Sequence, residues 1–367
     1  MGLEKPYDLD ELTAAVFGKN IAAKIYRSQA MKRDETHKDD NGMMDVFFYE
    51  AFEEEATQLK RWLPPGIRAD FDARAAGETD HAEPPARVIS IRTQSVVPLA
   101  WADRIGGILT RSTGYDHVTR WLAACGRAIP AGYLPLYCHR AVAEQALTLW
   151  MALWRKLARQ TAQFDRFCRD GLTGTECEGK TLLVVGVGAI GHAVTRIGAG
   201  LDMTVLGVDI EPRHKDVTYV GIADGLARAD AIVCAMSLNA GNVGYFDRAR
   251  WRATKPGAIF VNIARGELAP VAELLWALDN GILAGAALDV YDDEPALAAA
   301  MRAGRESDLP GWKEWRAFRR RPDTICTPHN AFNTAEAVER KSRQSVEQIE
   351  TFLKTGRFPW PVPLGQG

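Results

Sequence analysis

The ten residues LLVVGVGAIG constrain this chain more than any other stretch. They set Gly186, Gly188 and Gly191 directly after an apolar run that reads as a buried strand, at the opening of a helical pattern. Strand, tight turn and helix in that order leave backbone N–H groups pointing outward at the helix N-terminus, where they can cradle a pyrophosphate. Ala189 and Ile190, inside the turn, belong to the same cradle. A glycine turn of this kind can also join strand to helix with no ligand, so the acidic residue that should follow it matters. Asp209 stands 18 residues beyond Gly191, at the end of TVLGVD. A carboxylate there accepts hydrogen bonds from the adenosine ribose and repels a 2′-phosphate. The reading is a NAD site, with NADP the alternative if nearby Arg213 softens that repulsion. His192 reads as a residue of the helix surface.

Around this motif runs a repeated alternation of apolar strands (LLVV, TVLGVD, AIVCAM, AIFVNIA, GAALDV, TICTP) and amphipathic helices. That rhythm predicts a doubly wound parallel sheet covered on both faces. Upstream, MDVFFYEAF, ARVISIR and GGILTRS read as strands of a smaller α/β unit. A long helical pattern from His139 to Asp170, stopped by Gly171, is expected to link the two. Residues 296–322, rich in Arg and Trp, read as a surface insertion. Asn333, with Glu336 three positions on, marks the start of a last helix running to Lys354, expected to pack back on the first unit. The 367 residues suit two such domains.

Forty-five basic and 47 acidic residues give a net charge of −2, which provides no electrostatic footprint for nucleic acid. The longest apolar stretch, Ala146 to Trp154, falls far short of the roughly 20 residues a membrane span needs. The N-terminus has no apolar core of the signal-peptide type, so a cytoplasmic protein is expected. Cys125, Cys138, Cys168, Cys177, Cys234 and Cys326 form no C-x-x-C pair and no cluster with zinc-like spacing. They read as free thiols, and no metal is assigned.

In an open parallel sheet, ligands bind beyond the carboxyl ends of the strands. Three residues sit there: Arg265 after AIFVNIA, Glu294 just past GAALDV, and His329 directly after TICTP. Ala264, beside Arg265, joins the cofactor side of that edge. Imidazolium suits protonation of an oxygen on which hydride attack develops charge. A carboxylate on the other ring nitrogen favours the charged ring and fixes its orientation. A guanidinium can hold a substrate carboxylate in a planar fork. Singly, each has an ordinary structural explanation: a surface ion pair, a charge at a helix start, a satisfied histidine. Their shared position downstream of the fingerprint favours catalysis.

At this point LLVVGVGAIG, KPGAIFVNIARGEL, ALDNGILAGAALDVYDDEP and TPHNAF resemble the D-isomer-specific 2-hydroxyacid dehydrogenases, over about Pro135 to Lys354. Asp289 and Glu294 fall 24 and 29 residues after Arg265, as in that family's pattern. The resemblance implies a Rossmann-type domain (140–331) inserted into a flavodoxin-like substrate domain (43–139 plus 332–367), with 1–42 as an N-terminal extension. It also implies a homodimer and hydride transfer between NADH and a 2-keto acid. The backbone N–H groups of Thr113 and Gly114 would hold the substrate carboxylate with Arg265, and Asp289 would contact the nicotinamide amide.

PLYCHRAVAEQ and TPHNAF look most like the D-lactate dehydrogenase branch, where aromatic residues at the positions of Tyr137 and Phe332 face a small, pyruvate-like substrate. Tyr137 could equally fill core. Departures are Gln145 in place of a common histidine, and Ala269-Pro270 in place of a common Val-Asp. They put the exact substrate and the oligomer contacts in doubt. Alternatives are a relative acting on glyoxylate, hydroxypyruvate or phosphoglycerate, and a NAD(H)-sensing regulatory protein of the same fold. A phosphorylated substrate would want further basic residues in the first domain's cleft, and none can be located there from sequence. A formate-oxidising relative fits less well, because that branch resembles a His–Gln pair.

Overall fold

The computed structural model describes residues 43–363, so the segment expected as an N-terminal extension lies outside the described residues. Two wholly parallel sheets organise the chain. The first, in order β2-β1-β3-β4-β5, comprises β1 (Met44–Phe48), β2 (Ala69–Phe71), β3 (Ala86–Ile91), β4 (Gly107–Thr110) and β5 (Ala131–Gly132). The second, in order β12-β11-β10-β9-β6-β7-β8, comprises β6 (Thr181–Val185), β7 (Thr204–Val208), β8 (Thr218–Tyr219), β9 (Ala231–Cys234), β10 (Ala258–Asn262), β11 (Leu283–Leu288) and β12 (Thr324–Cys326). The first order is that of flavodoxin-like folds, and the second extends the dinucleotide-binding order by one strand. The edge strands β2, β5 and β8 are only two or three residues long, too short to leave a pattern in the sequence.

Alternation along β6 shows why the second sheet is covered twice. Leu182 and Val184 pack into one apolar cluster with Ala146 and Trp150, and Leu183 and Val185 into another with Leu226 and Trp251. A strand buried on both faces must be apolar along its buried length, as Leu182 to Val185 of β6 are. Burying each such side chain contributes roughly 1.5–3 kcal/mol.

The helices that matter for the site are α1 (Glu53–Trp62), α2 (Asp116–Cys125), α3 (His139–Trp154), α4 (Ala189–Ala199), α5 (Glu294–Arg302) and α6 (Ala335–Thr355). Three depart from expectation. The long linking helix stops at Trp154, where Lys156 turns left-handed at φ 53°. The returning chain takes the Trp154 carbonyl through Thr175 N at 3.0 Å, a partner that local sequence does not announce. The last helix is capped by Thr334, whose side chain accepts from Ala337 N, rather than by Asn333. Within 296–322, the segment Trp312–Arg319 is a crossover helix, not a surface insertion: Phe318 is fully buried in the second core and Trp315 packs edge-on against Tyr291.

α6 does return to the first sheet. Val346, Ile349 and Phe352 pack with Val46, Phe48, Val88 and Leu109. Its register is fixed by a wholly buried ion cluster, in which Glu55 Oε1 lies 2.7 Å from Arg111 Nε and 2.9 Å from Lys341 Nζ. Arg111 also donates to Ser90 Oγ and the Tyr49 carbonyl. Burial would raise the Glu55 carboxyl, but Arg111, Lys341 and Arg92 outweigh it and hold the group at about 2, below its ordinary 4.5. Burial pulls Lys341 down to about 7 against the attraction of Glu55.

Because Glu55 titrates lower in the folded chain, its contribution is whole above 4.5 and is lost as pH falls toward about 2. Glu55→Gln, which removes the anion facing buried Arg111 and Lys341, should cost about 3–5 kcal/mol of unfolding free energy at neutral pH. That deficit should shrink as pH drops below 4.5. Denaturant midpoints across pH measure both; equal midpoints at neutral pH would remove the cluster from the stability account.

Candidate active site

The turn after β6 carries the features a dinucleotide pyrophosphate demands. Gly186 adopts φ 91°, and a Cβ at Gly191 would collide with the Gly186 carbonyl, so neither position accepts a side chain. A Cβ at Gly188, the N-cap of α4, would meet nothing within 4 Å, which leaves the helix N-terminus open to a ligand. Asp209, at the end of β7, accepts from Val187 N at 2.6 Å and Glu211 N at 2.9 Å. Its carboxylate is thereby locked against the glycine turn. Arg213 pairs with Glu211, so its charge is not directed at a 2′-phosphate. These residues fit NAD.

A cleft opens at the carboxyl ends of both sheets. Thr113, Gly114, Tyr137, Ile190, Ala264, Arg265, Asp289, His329 and Phe332, all singled out in the sequence, line it together. Tyr137 is both buried and cleft-facing, packed edge-on to Phe332 with ring centroids 6.4 Å apart. The two readings of Tyr137, core and pocket, are therefore compatible. Glu294 stands behind the cleft wall, with its carboxylate 2.7 and 2.9 Å from His329 Nδ1. That contact leaves Nε2 as the ring nitrogen available to a ligand. Burial would raise the Glu294 carboxyl, but His329, Gln94 and Arg265 together hold it below its usual range.

His329 occupies a left-handed backbone conformation, φ 49°, which a non-glycine residue adopts only under constraint. Asp289 supplies that constraint. Its carboxylate accepts from Thr327 Oγ1 at 2.5 Å and from Asn330 N and Ala331 N at 2.8 Å each, stapling the turn on either side of the histidine. Burial raises its carboxyl above the usual range despite these donors. Asp289 thus lines the cleft, as a residue facing nicotinamide should, while the bonds observed are to its own loop.

Arg265 reaches from the end of β10 toward the other sheet. Its Nε donates to Asp116 Oδ1 at 2.9 Å, its Nη1 to the Ala264 carbonyl, and its buried Nη2 has no partner. A Cβ at Gly114 would strike this guanidinium, so glycine is needed for the approach. Asn262 shapes the turn, donating to the Arg265 carbonyl and accepting from Ala264 N. An unsatisfied guanidinium N–H beside the Thr113-Gly114 backbone is suited to a carboxylate.

Four neighbours escaped the sequence reading. Asp116 at the start of α2 orients Arg265. His117 beside it is held neutral by burial, which lowers it to about 3. Gln94 donates to Glu294 Oε1 at 3.1 Å. Arg92 lines the cleft, with its guanidinium 4.1 Å over the Phe332 ring and its buried Nε without a partner. It directly follows β3, so the strand-end rule that found Arg265 would have found it had that rule been applied to the first sheet as well.

Gly114→Ala should displace the Arg265 guanidinium while leaving the glycine turn intact. Expected are a loss in kcat/KM of about 10²-fold, typical of a misplaced clamp, and an unchanged NADH dissociation constant. Full retention of kcat/KM would argue against the Gly114–Arg265 contact.

The model of the NAD binding domain of the D-isomer specific 2-hydroxyacid dehydrogenases matches residues 147–331. A D-lactate dehydrogenase of Streptococcus agalactiae is 31% identical over 275 residues, covering 72% of this chain and 82% of that one. A D-3-phosphoglycerate dehydrogenase of Mycobacterium bovis is 29% identical over 296 residues, 78% of this chain but 53% of that one. The apo-structure of Escherichia coli D-lactate dehydrogenase superposes with TM-score 0.73 at 24% identity, over 87% of this chain and all of that one. With a family model covering half the chain and a relative at this identity and coverage, the protein belongs to the D-isomer-specific 2-hydroxyacid dehydrogenases and is a NAD-dependent oxidoreductase.

Proposed function

We propose that the preferred substrate is a small, pyruvate-like 2-keto acid, reduced to the D-2-hydroxy acid. The observation that carries this is the unpartnered Arg265 Nη2 at Gly114, in a cleft narrowed by Tyr137 and Phe332. When bound, NADH supplies the hydride that reduces the keto carbon. Arg265 and the Thr113 and Gly114 backbone hold the substrate carboxylate, and the guanidinium polarises the keto oxygen. His329 Nε2 gives its proton to that oxygen as charge develops there. Glu294, on Nδ1, stabilises the imidazolium and fixes the ring. Gly186, Gly188, Ala189, Ile190, Gly191 and Asp209 take the adenosine and pyrophosphate, and Ala264 and Asp289 border the nicotinamide. The same reading divides the chain into a substrate domain, 43–139 plus 332–367, and a cofactor domain, 140–331. A homodimer and a cytoplasmic location belong to the same reading. No helix among the described residues is long and apolar enough to cross a membrane.

Arg92 favours a second reading. Its guanidinium lies 4.1 Å from the Phe332 ring centroid, so this wall of the cleft carries a cationic group beside the aromatic one. A keto acid with a distal carboxylate or phosphate would satisfy the buried Arg92 Nε.

NADH oxidation with pyruvate, 2-ketobutyrate, glyoxylate, hydroxypyruvate, oxaloacetate and phosphohydroxypyruvate separates the readings. The first predicts highest kcat/KM for pyruvate or 2-ketobutyrate, with Arg92→Leu sparing it. The second predicts highest kcat/KM for oxaloacetate or phosphohydroxypyruvate, and a selective loss of it in Arg92→Leu. NADH binding with no oxidation by any member would overturn both readings of the substrate. His329→Gln should retain NADH binding and lower kcat by about 10²–10⁴-fold, the usual worth of a general acid. An unchanged kcat would remove His329 from that role.

A further inference from the structure

Away from the catalytic cleft, the fold assembles a group of potential metal ligands that the sequence scatters. His192 follows the last glycine of the fingerprint and sits on the first turn of α4. His214 and Asp216 lie on the segment between β7 and β8, five and seven residues beyond Asp209. Their ligand atoms all lie within 4.8 Å of one another. His192 Nε2 is 2.8 Å from Asp216 Oδ2 and 3.1 Å from Oδ1, and the two imidazole rings are stacked, with centroids 3.8 Å apart and planes 10° from parallel.

Neutral imidazole is the form that ligates a metal. A tetrahedral ion about 2.0–2.2 Å from each donor needs donors about 3.3 Å apart. The His192–Asp216 separation is already close to that, and His214, with a ligand atom within 4.8 Å of the other two, must turn its ring out of the stack to complete the set. Asp216 is 60% exposed, which leaves a side of the group open for water to complete the shell. Two nitrogens and one carboxylate oxygen form a set for late first-row divalent ions rather than for Mg²⁺ or Ca²⁺, which prefer oxygen donors.

We propose that His192, His214 and Asp216 form a binding site for one Zn²⁺-class divalent ion. The ion takes the place of the direct contact between His192 Nε2 and the Asp216 carboxylate. It staples the segment following Asp209 to the helix that opens the cofactor turn. None of the three ligands belongs to the catalytic set, so the site is separate from the hydride-transfer chemistry.

The full-length protein, stripped with chelator, is titrated with Co²⁺, whose visible absorption reports tetrahedral coordination. The expected result is a band without thiolate charge transfer that saturates at one ion per chain, is displaced by Zn²⁺ and is unaffected by excess Mg²⁺. His192→Asn and His214→Asn should each abolish it. Asp216→Asn should weaken binding by at least the ~10–100-fold that even outer-shell partners are worth. Circular dichroism and NADH binding confirm that each variant is folded, and three independent substitutions guard against the failure of any one. Absence of the band would overturn the proposal, as would a band that persists in both histidine variants or shows thiolate character.

Discussion

Much of the molecule hangs on the Glu55 carboxylate. It meets Arg111 from the end of β4 and Lys341 from α6, so one buried anion joins three segments widely separated along the chain. Apolar contacts supply most of the adhesion between α6 and the first sheet. They slide easily, however, and a buried charge cluster does not, because any shift leaves an ion desolvated and alone. The consequences reach the cleft by covalent proximity. Arg111 stands two residues before Thr113, and Lys341 lies nine residues after Phe332. The substrate cradle and the aromatic wall are thereby registered against the same carboxylate.

A second layer of positioning acts on the acid–base pair. Strand ends bring Glu294 and His329 together, yet both lie at strained points: His329 itself, and Asp293 just before Glu294, have positive φ. Such conformations persist where surroundings over-determine them. Asp289 does this for His329 through three hydrogen bonds, and Gln94 meets Glu294 from the opposite sheet. Arg302 at the end of α5 extends the same seam to Glu78 and Gln94. The second sheet provides the reacting groups, and the first helps to hold them.

What could be read in advance follows from range. The glycine turn, the strand ends and the C-terminal helix are local patterns, and each stands where the sequence puts it. The helix break before Lys156 involves a partner 21 residues away, Thr175 against Trp154, so periodicity alone carried the helix too far. Arg92 and Asp116 look like solvated charges until the other sheet approaches them. The helix Trp312–Arg319 is rich in charge and reads as surface, because its core anchors, Trp315 and Phe318, are few among arginines. His192, His214 and Asp216 share no spacing rule, since the first turn of α4 and the β7–β8 segment meet only in the fold.

The Arg265–Asp116 ion pair bears on selectivity among anions. In the protein described, the clamp for a carboxylate is already partly neutralised by a carboxylate of its own. The pair closes the Nε edge of the guanidinium to a ligand. A ligand presenting two oxygens in a plane can instead engage the remaining Nη2 face together with the Gly114 backbone. Asp116, which performs no chemistry, thus decides by which edge of the guanidinium a ligand is held.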